Sequence, residues 1–271
     1  QDQSANFAVD GVLLYASKLS QEYKCSESAI LDILHQNSKK IRGARQYHFD
    51  ETFFEKIDSQ EKAYILGWLF ADGNVGKNLR CWRLLITDLD ILEKIRNIIC
   101  KDLPIKRTEP TNPKHKIRYN LGVASVKMCK DLNRLGCIPN KTYNTIMPNL
   151  DLLSVEFYRS FLLGMYEGDG SIVFGNIYRK HGLSRLFKWV LSGDLRMLNP
   201  LKEYIEKTVG VHCCMVRAKQ STINTYTLSV NGNHQLKRFL DWLYGECGYL
   251  RMQRKYDRYR EFLDFYNTEH P

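Results

Sequence analysis

The chain has 271 residues, 44% of them hydrophobic and 26% charged, an ordinary globular composition with ample material for a hydrophobic core. Its 40 Lys and Arg outnumber 30 Asp and Glu, and the net charge of +10 favours a polyanionic partner. No stretch reads as a secretory leader or is long and apolar enough to span a bilayer, so an intracellular or organellar setting without a membrane partner is expected. The cysteines at positions 25, 81, 100, 129, 137, 213, 214 and 247 form no Cys-x-x-Cys pair, which speaks for reduced thiols and against structural zinc.

Residues 1–50 read as a small helical module. Val12, Ala16, Leu19 and Tyr23 fall at helical spacing, Ser26 is a plausible N-cap, and Ile30, Ile33 and Leu34 mark a second helix. Two short helices joined by a tight turn fit either a helix-turn-helix or a plain helical hairpin; the basic run Lys39, Lys40, Arg42 and Arg45 favours the former and nucleic acid.

Residues 51–150 and 151–271 read as two copies of one unit. Ile65-Leu66-Gly67-Trp68-Leu69-Phe70-Ala71-Asp72-Gly73 returns as Leu162-Leu163-Gly164-Met165-Tyr166-Glu167-Gly168-Asp169-Gly170, 97 residues later. In the first copy, Asp58 and Glu61 resemble a capping box opening a helix that Gly73 ends. A strand over Arg80 to Thr87, a helix opened by Asp88, a strand over Arg118 to Val123 and a helix from Ser125 to Leu135 follow. In the second, Ser154 caps a helix ending near Glu167, strands fall at Ser171 to Tyr178 and Leu186 to Leu191, and Asp194 opens the next helix. Tyr226, Leu228 and Val230 alternate like Tyr119, Leu121 and Val123, but at an offset of 107, so about nine residues are inserted around Tyr178 to Arg185. Each half therefore reads as αββαββα, an α+β fold.

Gly67 and Ala71 share a helix face, as do Gly164 and Gly168, and small residues four apart let two backbones approach closely. Glycine within a helix costs about 1 kcal/mol relative to alanine, so its repeated use points to a packing requirement. Packing these helices together would bring Asp72 and Asp169 to one end of the pair, beside two negative helix-dipole ends. Such crowding calls for a cation, and oxygen donors suit Mg²⁺; on a basic protein, paired acids with Mg²⁺ point to phosphodiester hydrolysis.

These two stretches resemble the paired motifs of the LAGLIDADG homing endonucleases in their monomeric two-repeat form, over residues 55–266. The resemblance implies two pseudo-symmetric halves forming a saddle of antiparallel sheets, a monomer, and a long double-stranded DNA target cut across the minor groove to leave short 3′ overhangs. It implies two or three divalent ions held by the eighth-position acids Asp72 and Asp169 and the carbonyls of Ala71 and Gly168. The sixth position, commonly acidic in that family, is Phe70 in one copy and Glu167 in the other. Basic residues near the family's cleavage centres correspond to Lys141 and Lys255, for polarising water or clamping phosphate; Arg251, Arg254, Lys255, Arg258 and Arg260 together also read as the solvated side of a closing helix. The expected DNA-facing stripe comprises Asn74, Lys77, Arg80, Arg83, Arg118, Asn120, Arg179, Lys188, Arg217, Lys219, Thr225 and Thr227, with the second helix of the N-terminal module entering an adjacent major groove. An RNA maturase acting on intron RNA, or a catalytically silent DNA-binding regulator, are the rival readings of the same fold.

Overall fold

The computed structural model describes residues 6–9, 12–37, 47–140, 147–148, 152–179, 182–218, 225–245 and 248–269. The chain divides into two compact units, residues 1–49 and 50–271.

The first unit is not purely helical. Strands β1 (Asn6–Val9) and β2 (Val12–Tyr15) pair antiparallel, with Val9 opposite Val12, before helices α1 (Ala16–Glu22) and α2 (Glu27–Gln36). The helical spacing from Val12 misled because Val12-Leu13-Leu14-Tyr15 is also a continuous β-favouring run. Asp10-Gly11 before it is a hairpin signature in sequence. Tyr23 lies beyond α1 and is exposed, whereas Ser26 does cap α2, its hydroxyl accepting from the Ala29 N–H at 3.2 Å. Lys39, Lys40, Arg42 and Arg45 lie outside the described residues.

In the second unit the first repeat runs α3 (Gln60–Ala71), β3 (Gly73–Val75), β4 (Cys81–Ile86), α4 (Leu89–Cys100), β5 (Ile105–Thr108), β6 (Arg118–Ala124) and α5 (Val126–Arg134). After a 3₁₀ turn at Val155–Phe157, the second runs α6 (Tyr158–Asp169), β7 (Gly170–Arg179), β8 (Gly182–Asp194), α7 (Leu195–Val209), β9 (Cys213–Arg217), β10 (Thr225–Asn231) and α8 (Asn233–Tyr244), closed by α9 (Gln253–Glu269). The sheets have the same order, β3-β4-β6-β5 and β7-β8-β10-β9, all antiparallel. Trp82 opposite Val123 in one sheet matches Trp189 opposite Val230 in the other, and all four side chains are buried. The inserted residues lengthen one hairpin: β7 and β8 have 10 and 13 residues against 3 and 6 for β3 and β4.

Strand alternation separates core from surface. On β4, Trp82, Leu84 and Ile86 are buried while Arg83 and Leu85 are exposed, and amphipathic helices such as α4 (Ile91, Leu92, Ile95, Ile99) cover the apolar side. The cap of α3 differs from the expected box. Ser59 is the N-cap, accepting from the Lys62 N–H at 3.2 Å, and Asp58 pairs instead with the Lys62 ammonium at 2.8 Å.

Helices α3 and α6 pack together along their length. A Cβ on Gly67 would run into the Phe161 carbonyl and lie 2.8 Å from the Met165 nitrogen; one on Gly164 would run into the Tyr64 carbonyl, the pseudo-symmetric atom. One turn on, a Cβ on Gly168 would collide with that of Ala71, so alanine fits there only because its partner is glycine. Replacing Gly67 or Gly164 by alanine should gain about 1 kcal/mol of helix propensity but force two backbones apart, a net loss of about 2 kcal/mol or more. Urea unfolding would measure it, and an unchanged midpoint would contradict this close approach.

Candidate active site

Each motif helix ends at its acid for a local reason. Asp72 caps α3 with its N–H on the Trp68 carbonyl, and Gly73 must follow because a Cβ there would sit 2.5 Å from the Leu69 carbonyl. Gly170 plays the same part after α6, where a Cβ would sit 2.8 Å from the Tyr166 carbonyl. Both carboxylates are exposed, and Asp72 Oδ2 is 3.4 Å from the Cβ position of Gly168, so it lies against the end of the opposite helix. The helix pair thus brings Asp72, Asp169, Ala71 and Gly168 to one end.

Lys255, near the start of α9, enters this end from below. It is buried, and its Nζ donates to the carbonyls of Gly170 at 2.6 Å, Tyr166 at 2.7 Å and Gly168 at 3.5 Å. Burial pushes its pKa down to about 8, opposed by Glu167, Asp169 and Asp72. Its ammonium therefore braces the carbonyl end of α6 and offsets the charge of both acids. Lys141 and Lys219 lie outside the described residues, as does the side chain of Arg179.

Beneath the acids the two sixth-position residues meet equivalent partners in different chemistry. Glu167 Oε2 accepts from the Tyr64 hydroxyl and, at 2.9 Å, from the Met252 N–H. The pseudo-symmetric contact is Phe70 edge-on to Phe161, centroids 5.2 Å apart. Burial drives the Glu167 carboxyl up to about 7 against the pull of these donors, of Lys255 and of Lys94.

Sheet register sorts the expected DNA-facing residues. Asn74 pairs with Arg83 and Arg83 with Gly122, and Asn120 and Arg118 continue this face, which is turned away from buried Trp82, Leu84 and Leu121. Lys77 and Arg80 lie exposed in the loop joining β3 and β4. In the other sheet Lys188, Thr225 and Thr227 share one face. Arg217 does not: it pairs with Tyr226, in the phase of Met215 and buried Leu228, because β9 meets β10 with Val216 opposite Thr227. The sequence reading missed Lys106 and Thr108 on β5, which pair with Asn120 and Arg118 and are exposed. Their tetrapeptide strand is too short to show alternation, and pairing with β6 is what assigns their face.

The donor set suits a hard cation. Among the described residues no three His, Cys, Asp or Glu side chains gather. What converges is two carboxylates and backbone carbonyls, the oxygen donors that Mg²⁺ accepts while keeping several waters.

The architecture matches solved LAGLIDADG homing endonucleases. The I-SmaMI meganuclease bound to uncleaveable DNA aligns with a TM-score of 0.53 and 11% identity, over 77% of this chain and 91% of that one. I-AabMI bound to uncleaved DNA aligns at 0.51 and 12%, over 76% and 90%. I-LtrWI bound to target DNA aligns at 0.51 and 13%, over 81% and 91%. No protein-family model and no curated protein sequence matches. The chain therefore has the LAGLIDADG homing endonuclease fold.

The raised pKa of Glu167 has a consequence for stability. Between its ordinary value of 4.5 and about 7, the folded chain holds a proton that the unfolded chain has released, so this group's contribution declines as pH rises through that window. Glu167→Gln should remove this component, flattening the fall of thermal midpoint from pH 4.5 to 7; an identical pH profile in the variant would refute it.

Proposed function

We propose that this protein is a site-specific DNA endonuclease that makes a Mg²⁺-dependent double-strand break. The observation that carries the reading is the convergence of Asp72 and Asp169 at the end of two helices packed backbone to backbone. The matching solved structures, determined with DNA, support the choice of substrate.

Asp72 and Asp169, with the Ala71 and Gly168 carbonyls, would hold the divalent ions, which supply charge to activate water and stabilise a leaving oxygen. The residues themselves orient and balance. Each helix presents one carboxylate toward one strand, across a minor groove between the two sheets. Buried Lys255 holds the α6 end in place and, as its ammonium, sets a positive charge next to the acids. The polar faces of the sheets, with Asn74, Arg83, Lys106, Arg118, Asn120, Lys188 and Thr227, face the major grooves on either side. A break across the minor groove leaves short 3′ overhangs, as the resemblance implies. The first unit acts as a helix-turn-helix-like extension, α2 adding contacts beyond the central site. The rival readings share the fold, but both motif acids are intact, which favours cleavage. We further propose action as a monomer, since one chain supplies both acids.

Cleavage selection on randomised duplex DNA with Mg²⁺ should return one long site, cut on both strands. Asp72→Asn or Asp169→Asn should abolish double-strand cutting while binding persists in a mobility-shift assay, and undiminished cutting by either variant would overturn the site. Removing residues 1–49 should weaken binding more than it slows cutting at saturating protein. Unchanged affinity in that truncation would deny the first unit its role.

A further inference from the structure

The second repeat carries a groove beside its first strand. It is an open channel of about 570 Å³, running along β7 between Gly168, Gly170, Ser171 and Phe174 on one side and Arg254, Lys255 and Arg258 of α9 on the other. Its upper end is the end of α6 that bears Asp169.

Three features distinguish it from a generic surface cleft. The first is charge held in place. Arg254 binds Asp88 through Nε at 2.9 Å and Nη2 at 3.1 Å, so a carboxylate of the first repeat orients its guanidinium. That pairing leaves the Nη1 donors of the five-donor fork outside the Asp88 bond. Arg258 is half-exposed, with its guanidinium 5.1 Å from the Phe174 ring centroid and one nitrogen on Glu261. The second is the strand itself. β7 is an edge strand, paired only with β8 among the described residues, and its Gly170 carbonyl is turned toward the groove, where Lys255 Nζ donates to it at 2.6 Å. The third is continuity with the acids, since Lys255 bonds the Gly168 and Gly170 carbonyls that line both the groove and the acid end.

We propose that this groove takes the phosphodiester backbone of one DNA strand next to the bond cut there, with Arg254 and Arg258 as its phosphate contacts. The inference rests on the endonuclease reading above and deepens it: the two strands are held unequally, because α9 serves only one. Arg254 and Arg258 are then positioning residues for one cleavage event, and the basic character of early α9 is a binding feature, not a solvated helix side.

The test pairs a binding arm with a cleavage arm on the full chain. In EDTA, with no cutting, binding of a generic 30-base-pair duplex is measured against salt for the natural protein, Arg258→Ala, Arg258→Lys and Arg254→Ala. Each alanine variant should lower the magnitude of the log–log salt slope by about one, and Arg258→Lys should leave it nearly unchanged. With Mg²⁺ and the selected target, labelled on either strand, Arg258→Ala should slow one strand by about tenfold or more and spare the other, so that nicked DNA accumulates. Thermal midpoints check that each variant is folded, and Arg258→Lys, which keeps the charge, serves where an alanine variant is not. Equal slowing of both strands, or an unchanged salt slope, overturns the proposal. So does a slope change seen only with structured RNA, which would assign the groove to that polymer. If the natural protein cuts no duplex at all, the endonuclease reading fails, while the salt slopes still decide whether the groove binds DNA backbone.

Discussion

The close approach of α3 and α6 is the constraint on which the rest of the second unit depends. Because Gly67 and Gly164 face each other's backbone, the helices touch along carbonyls and Cα atoms rather than side chains. That distance puts Asp72 against Gly168, and it brings two helix C-termini, with their partial negative charges, to one point. A larger residue at either glycine would separate the acids while leaving both sheets intact. The site is therefore built by packing and only then by charge.

The same contact explains why the halves are related but not interchangeable. Tyr64 with Glu167 and Phe161 with Phe70 occupy pseudo-equivalent places, one polar and the other aromatic. A helix pair with two copies of the acidic version would bury two carboxylates beside phenyl rings, without the Tyr64 hydroxyl. Burial already raises the single Glu167 carboxyl to about 7 despite its donors. Sequence divergence between the copies has thus made each motif helix complementary to the other and no longer to itself.

Much of this was legible in the residues. The 97-residue repeat and the small residues at Gly67, Ala71, Gly164 and Gly168 located the helix pair and its acids because backbone approach leaves few residue choices. Alternation placed Arg83, Asn120 and Thr227 on one phase because each lies in a strand long enough to repeat it. Failures arose where local signals were degenerate or pairing decided. Val12 to Tyr15 fits a helix face and a strand equally well, and pairing with Asn6 to Val9 selects the strand. Arg217 looks like an exposed strand residue, yet the register of β9 on β10 gives it the opposite face. Asp58 matched a capping pattern, but Ser59 is one residue closer to the first turn and has the shorter reach to an N–H.

The least legible feature is the role of the segment leading into α9. In sequence, Arg251 to Lys255 is a basic stretch with no periodicity of its own. In the fold, four of its polar links reach distant elements: the Arg251 carbonyl accepts from Lys94, the Met252 N–H donates to Glu167, Arg254 holds Asp88, and Lys255 holds the end of α6. Two of those partners, Asp88 and Lys94, belong to the first repeat. The segment therefore ties the repeats together beside the helix pair, adding to the backbone contact of α3 and α6 a second fixed point. Rotation of one sheet about the paired helices would have to break these charged and buried bonds. The angle between the two sheets is therefore held by that brace as well as by the helix pair.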